Sequence, residues 1–223
     1  MKSIKKISLL FLLFAFCKLS AQQHADPEYI KVTNERAAKI VGKLALGNKE
    51  KEAAVTNVIA QQFRDLSKIQ GERDTQIKKV KEDATLPKEK QNEKIDKLKA
   101  DASKSIGKLH KAYLKKLGKH LNEAKITEVK DGMTYGVLPV TVTAYNDMIP
   151  TLTKEEKEYI YNTLVEAREH AMDGGSSDEK HAWFGKYKGR INNYLSKRGY
   201  DLTKEREGWN KRIAERKKAE ATK

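Results

Sequence analysis

From Asp26 onward the apolar residues recur at helical intervals. Asp26-Pro27 pairs an N-cap with a proline suited to the first helical position. Tyr29, Val32, Ala37, Ile40, Val41 and Leu44 follow, which predicts a helix ending near Gly47. Asn48 caps a longer run in which Val55, Ile59, Gln62, Leu66, Ile69, Arg73, Ile77 and Val80 advance mostly by three and four, until Leu86-Pro87 breaks it. Ile95, Leu98, Ala102, Ile106, Leu109, Tyr113 and Leu117 repeat the spacing. Residues 48 to 121 therefore read as a long antiparallel helical hairpin, each arm extending roughly 50 Å at about 1.5 Å per residue.

The pattern changes at Val137-Leu138-Pro139-Val140-Thr141-Val142-Thr143, which is β-branched and interrupted by proline. Residues 131 to 150 read as an irregular or short β segment, with Pro139 arguing against a central strand. Helical signals then resume. Thr153 with Glu156, and Ser176 with Glu179, are capping-box pairs for helices ending near Asp173 and near Arg198. Gly199 marks a stop, and Thr203 begins a last helix carrying Trp209 and Ile213. The fold class expected is all-α: a hairpin packed with a C-terminal three-helix unit, around one non-helical segment.

Residues 1–21 have a different composition. Lys2, Lys5 and Lys6 precede the apolar run Ile7 to Phe16, and Lys18-Leu19-Ser20-Ala21 comes after it, the charged, apolar and small-residue order of a secretory signal. The apolar run is too short to span a bilayer, and Phe16 before Cys17 does not suit a lipid-attachment site. Cleavage after Ala21 would leave 22–223 as a single helical domain, divided between a basic half, 22–130, and an aromatic half, 131–223. The one cysteine falls in the leader, so the remainder has no disulfide and depends on packing. No second hydrophobic stretch approaches membrane-spanning length. Export to the periplasm or the exterior of a bacterium is the expected destination.

Charge and aromaticity divide along the same line. The chain has 46 Lys and Arg against 31 Asp and Glu. Residues 48 to 130 hold 21 basic and 13 acidic side chains, whereas 131 to 223 hold 17 and 15. Ten aromatic residues lie between Tyr135 and Trp209, against Tyr29, Phe63 and Tyr113 between residue 22 and Tyr135. In the basic half, Lys104, Lys108, Lys111, Lys115 and Lys119 recur by four, three, four and four, with no acid between Asp101 and Glu123. That spacing sets five ammonium groups in one stripe, able to attract an acidic polysaccharide, an anionic lipid surface or a nucleic acid. An ordinary solvated face is the alternative. Nucleic acid is excluded from the expected partners, because the stripe has no interleaved aromatic or arginine for base stacking and the chain is read as exported.

The segment His170 to Tyr194 is the densest in functional side chains. On a helix from Ser177, one face carries Phe184, Tyr187, Ile191, Tyr194 and Leu195 and is core. A neighbouring face carries His181, Gly185, Lys188, Gly189, Asn192 and Ser196, where two glycines weaken the helix unless another helix or a ligand approaches closely. Asn162, Glu166, Glu169, His170 and Asp173, with Arg168 nearby, form the polar side of the preceding helix. The two helices are expected to turn Glu166 and His170 towards His181, Lys188 and Asn192, with Trp183 at the edge. Such a seam has the parts of a carbohydrate site. Trp183 and Tyr187 would stack on a sugar ring, the polar groups would bind hydroxyls, and Tyr135 and Tyr145 would close the site. The competing reading is a salt-bridged seam between packed helices. No metal-ligand spacing and no cofactor motif occurs, so neither a metal nor a cofactor is expected.

The run Val165 to Asp173, the run Lys180 to Leu195, Gly199-Tyr200-Asp201, Val129 to Gly136 and Met148-Ile149-Pro150 together resemble the domain-of-unknown-function family 3826. The resemblance implies exported bacterial proteins described as sugar-binding and associated with polysaccharide use, with no agreed catalytic residues. It favours a carbohydrate partner, with acidic polysaccharide as the form suited to the lysine stripe. Two other classes stay open. One is a lyase-type enzyme on an acidic sugar polymer, in which Lys188 or Arg190 neutralises a carboxylate, a histidine takes a proton and a tyrosine donates one. The other is a periplasmic chaperone or envelope-stress protein, suggested by the basic hairpin and by Leu152-Thr153-Lys154-Glu155-Glu156. Oligomeric state is not encoded in any motif.

Overall fold

The computed structural model describes residues 26–221, so the leader read at 1–21 lies outside the described residues. Among them are eight helices and no strand: α1 Pro27–Val41, α2 Lys49–Glu82, α3 Lys88–Leu117, α4 Glu123–Met133, α5 Val137–Met148, α6 Lys154–Ala171, α7 Ser177–Lys197 and α8 Leu202–Ala221. They form two compact units that divide between His120 and Leu121, ten residues before the change of composition in the sequence.

In the first unit α1 packs on α2, and α2 packs along α3. Asp26 Oδ1 accepts from Glu28 N at 3.0 Å and Asn48 Oδ1 from Lys51 N at 2.8 Å, so the first two helices start where local chemistry places them. Buried Ala37, Ile40 and Val41 of α1 accompany buried Val55, Ile59, Ala60 and Leu66 of α2. Arg64 pins the pair, donating to Thr33 Oγ1 at 2.9 Å and Asn34 Oδ1 at 3.3 Å. The turn between α2 and α3 is stapled by Gln91 Nε2, which donates to Asp83 O at 3.1 Å and Leu86 O at 3.2 Å. A groove of about 470 Å³ lies between the two arms, lined by Gln76, Lys79 and Val80 of α2 and by Lys94, Lys97, Leu98 and Asp101 of α3.

The second unit surrounds one hydrophobic cluster that includes Leu138, Tyr145, Ile149, Leu152, Ile160, Leu164, Ala167, Phe184, Tyr187, Ile191 and Leu195. Helix α6 is its spine, packed against α4, α5 and α7, while α8 contacts α5 and α7. The capping box at Thr153 and Glu156 forms in full. At α7, Ser176 Oγ accepts from Glu179 N at 3.1 Å, but the Glu179 carboxylate reaches one residue further back, to Gly175 N. The last helix starts one residue before the expected Thr203, with Asp201 accepting from Thr203 N at 3.1 Å and Lys204 N at 3.2 Å.

The expected irregular or β segment at 131–150 is corrected: residues 137–148 are the helix α5. Pro139 is its third residue, within the first turn, where the missing N–H has no intrahelical acceptor to lose. Leu138, Thr141 and Tyr145 are buried at helical spacing, so burial on α6 overrides the β preference of the valines and threonines. The sharp change of direction before α5 comes from Tyr135 and Gly136, both left-handed at φ 59° and 69°.

Two carboxylates fasten the second unit. The Glu156 side chain is buried, and it accepts from Thr153 N at 2.9 Å, Arg198 Nε at 2.8 Å and the Tyr200 hydroxyl at 2.8 Å. Burial alone would raise its carboxyl, but these donors hold it at about 2 against an ordinary 4.5. Asp147 accepts both guanidinium nitrogens of Arg216 at 2.9 and 2.6 Å and Trp209 Nε1 at 2.6 Å, and these bonds hold it at about 2 as well, from 3.8. Arg212 adds bonds to the carbonyls of Asp147 at 2.9 Å and Met148 at 3.0 Å, the open end of α5. Helix α8 has no buried residue, so these contacts hold most of it. Both folded-state values lie below the unfolded ones. The stability they contribute is therefore complete above the unfolded values and is lost as pH falls towards 2. The melting temperature of the second unit is expected to decline between pH 5 and 2, and Glu156→Gln should flatten that decline while lowering the neutral-pH value. Thermal denaturation followed by circular dichroism across pH checks both outcomes.

Candidate functional site

The turn between α6 and α7 is built around a buried cation. Lys180 lies on the apolar face of α7, with Phe184, Tyr187, Ile191 and Leu195. Its Nζ donates to Met133 O at 3.0 Å and Met172 O at 3.5 Å, carbonyls at the C-terminal ends of α4 and α6. Helix ends expose unsatisfied carbonyls and a partial negative charge, which suits an ammonium group removed from water. Arg168, also buried, ties α6 to α4 through Asp131 Oδ1 at 2.9 Å, and Lys130 bonds Glu169 Oε2 at 2.7 Å. Arg168 is thus a packing residue of the α4–α6 contact and not an open ligand donor.

From the buried face, at about 100° per residue, the other positions of α7 fall on two opposite flanks, and His181 and Trp183 lie roughly 160° apart. On one flank the His170 imidazole stacks on Trp183, with centroids 4.4 Å apart and planes at 15°. The Lys186 ammonium stands 5.1 Å from the Trp183 ring centroid. Tyr187 is buried and donates its hydroxyl to Glu166 Oε1 at 2.7 Å. Arg190 bonds Glu166 Oε2 at 3.1 Å and lies 4.8 Å over the Tyr187 ring. The Tyr187 bond, opposed by burial and aided by Arg190, holds the Glu166 carboxyl below its usual range. Glu166, His170, Trp183 and Tyr187 therefore meet, but as a cluster occupied by its own partners. Neither Trp183 nor Tyr187 offers the clear aromatic face expected of it.

The opposite flank is open. Tyr135, a residue 60% exposed, stacks its ring on His181 with centroids 6.0 Å apart and planes at 19°. Two turns on from Gly185, Asn192 accepts at Oδ1 from the buried Tyr145 hydroxyl at 2.7 Å, and burial pushes that hydroxyl up to about 12. Between these contacts lie Gly185, Lys188 and Gly189. A methyl group built on Gly185 or Gly189 would meet no atom within 4 Å. Lys188 is exposed and makes no ion pair among the described residues.

The predicted set thus splits. Tyr135, Tyr145, His181, Lys188 and Asn192 share one flank of α7, Glu166, His170, Trp183 and Tyr187 occupy the other, and the single seam expected between them does not form. The two glycines were expected to admit either a crossing helix or a ligand, and no protein atom fills the space. What the sequence pattern misses is Lys180, whose signal is a lysine in register with the core positions 184, 187 and 191. Lys104, Lys108, Lys111 and Lys115 are exposed on α3, and Lys119 is exposed in the turn after it. Among the described residues no group of three or more His, Cys, Asp or Glu gathers as metal ligands, and no helix is long and apolar enough to cross a membrane.

A family model described as protein of unknown function (DUF3826) matches residues 30–215. The chain belongs to the DUF3826 family. No curated protein matches it. The DUF3826 match runs from α1 into α8 and takes in both the open flank of α7 and the lysines of α3, and the family description assigns neither an activity nor a ligand.

Glycine in an exposed helix interior costs about 1 kcal/mol relative to alanine. Gly185→Ala and Gly189→Ala are each expected to stabilise the second unit by about that amount, since nothing occupies the space beside them. Urea denaturation of the two variants measures this. A loss of stability would mean that the glycines serve packing.

Proposed function

We propose that the protein is an exported, non-catalytic carbohydrate-binding protein whose site is the open flank of α7. The observation that carries this reading is the unfilled strip at Gly185 and Gly189, bordered by Tyr135, His181, Lys188 and Asn192. Two glycines one turn apart expose helix backbone to a close ligand, at a cost to the helix that no protein contact offsets. The Tyr135 ring presents an apolar face, and the turn that displays it is in the left-handed region a tyrosine rarely adopts. Stacking on the apolar side of a sugar ring suits such a face, while imidazole, amide and ammonium groups suit hydroxyls and a carboxylate. Lys188 makes acidic sugars the favoured class. Export rests on the leader order of Met1 to Ala21, and the protein's role in this reading is that of an accessory to polysaccharide use.

A glycan array with neutral and acidic polysaccharides tests the proposal. Tyr135→Gly removes the ring and relieves the left-handed strain, so it should retain or raise the melting temperature while weakening glycan binding about tenfold, the equivalent of one stacking contact. Trp183→Ala, on the opposite flank, should leave binding unchanged. Retention of no glycan by the wild-type chain, or loss of binding in Trp183→Ala alone, would sink the reading.

A further inference from the structure

We infer that the outer face of α3 is a second binding surface, for a linear polyanion bearing carboxylate or sulfate groups. Lys104, Lys108, Lys111 and Lys115 occupy an arc directly opposite buried Ala102, Tyr113 and Leu117, and Lys119 continues the row beyond the helix end. From Lys104 to Lys119 the row measures about 22 Å at 1.5 Å per residue.

Solubility alone does not account for the row, because the same hairpin shows how its solvated lysines are arranged elsewhere. Lys90 bonds Glu93 at 2.9 Å, Lys78 lies 3.8 Å from Glu82, and Lys99 lies 4.0 Å from Asp96. After Asp101 the acids stop, and lysines succeed one another at spacings where like charges destabilise a helix. The helix dipole favours cations only in the last turn, which covers Lys115 but leaves Lys104 and Lys108 without that explanation.

Gly107 is a second, independent anomaly in the same place. It stands about two-thirds of the way along a 30-residue helix, three residues after Lys104 and four before Lys111. A Cβ there would meet no atom within 4 Å, so no protein contact compensates a residue that weakens the helix. The result is a notch framed by two ammonium groups. Both anomalies are relieved by an anionic chain lying along the row, which neutralises the repulsion and enters the notch. A single file of charges matches a strand. The row carries no exposed apolar side chain to enter a bilayer and no arginine or aromatic to stack on bases.

The test uses the full chain without its leader, titrated with dextran sulfate and, as a control, uncharged dextran, at several salt concentrations. The wild-type protein should bind only the sulfated polymer, with affinity falling as salt rises. Replacing Lys104, Lys108, Lys111 and Lys115 with glutamine should lower affinity at least about tenfold, whereas the same change of charge at Lys31, Lys39, Lys43 and Lys51 should lower it less than about threefold. Equal losses would reduce the effect to net charge and overturn the proposal. Gly107→Glu, which keeps the helix by circular dichroism because the site is open, should also cost about tenfold by placing a carboxylate in the notch. Undiminished affinity in that variant overturns the strand geometry, as would tighter binding to phosphatidylglycerol vesicles than to dextran sulfate at equal charge. Loss of dextran sulfate binding in Tyr135→Gly with the four-lysine variant unaffected would assign the polymer to the flank of α7 and overturn the proposal.

Discussion

The ammonium group of Lys180 is the contact on which the second unit's exposed chemistry depends. It brings together three chain directions: the end of α4 through Met133 O, the end of α6 through Met172 O, and the start of α7 on which it sits. Met133 is two residues before Tyr135, and His181 is the next residue after Lys180. The stacked pair that borders the open flank is thus held by a cation behind it. A buried charge keeps its position only with its partners in place, so the left-handed turn at Tyr135 and Gly136 is constrained from both sides, by the bond from Lys180 of α7 to Met133 O at the end of α4 and by the burial of Leu138 on α5.

Much of the fold was legible in the sequence because helix ends are written in local chemistry. Asp26, Asn48, Thr153 and Ser176 each cap the helix they were expected to start, and Pro87 and Gly199 lie at breaks. Residues 137–148 were not legible, since their side chains favour strand and only the packing of Leu138, Thr141 and Tyr145 makes them helical. The candidate site was half legible. The sequence assigned His181, Trp183, Tyr187, Lys188 and Asn192 of α7 to one seam, and the helix divides them between two flanks. Residues two apart on a helix face nearly opposite ways, and which of them meets α6 depends on how α7 rolls on its core stripe. His170 meets Trp183, and His181 meets Tyr135.

The two units reach stability by different means. In the first, apolar burial by α1 and α2 gives way to a bare hairpin whose lysines outnumber its acids. In the second, one apolar cluster is ringed by carboxylates that each gather several donors, as Glu156 does with Thr153, Arg198 and Tyr200. Cys17 is the one cysteine of the chain, so neither unit can be tethered by an internal disulfide. Helical units of mostly local contacts fold rapidly, so packing alone can bring each unit to its structure without an oxidation step.

Helix α8 is attached by polar bonds concentrated at one place. Asp147 gathers Trp209 and Arg216, Arg212 covers the adjoining carbonyls, and no residue of the helix is buried. Detaching it would uncover little hydrocarbon, so the heat capacity and denaturant sensitivity of that event would be small beside those of global unfolding. The twenty residues of α8 are therefore the part of the second unit whose detachment would cost the core least, a subglobal opening distinct from global unfolding.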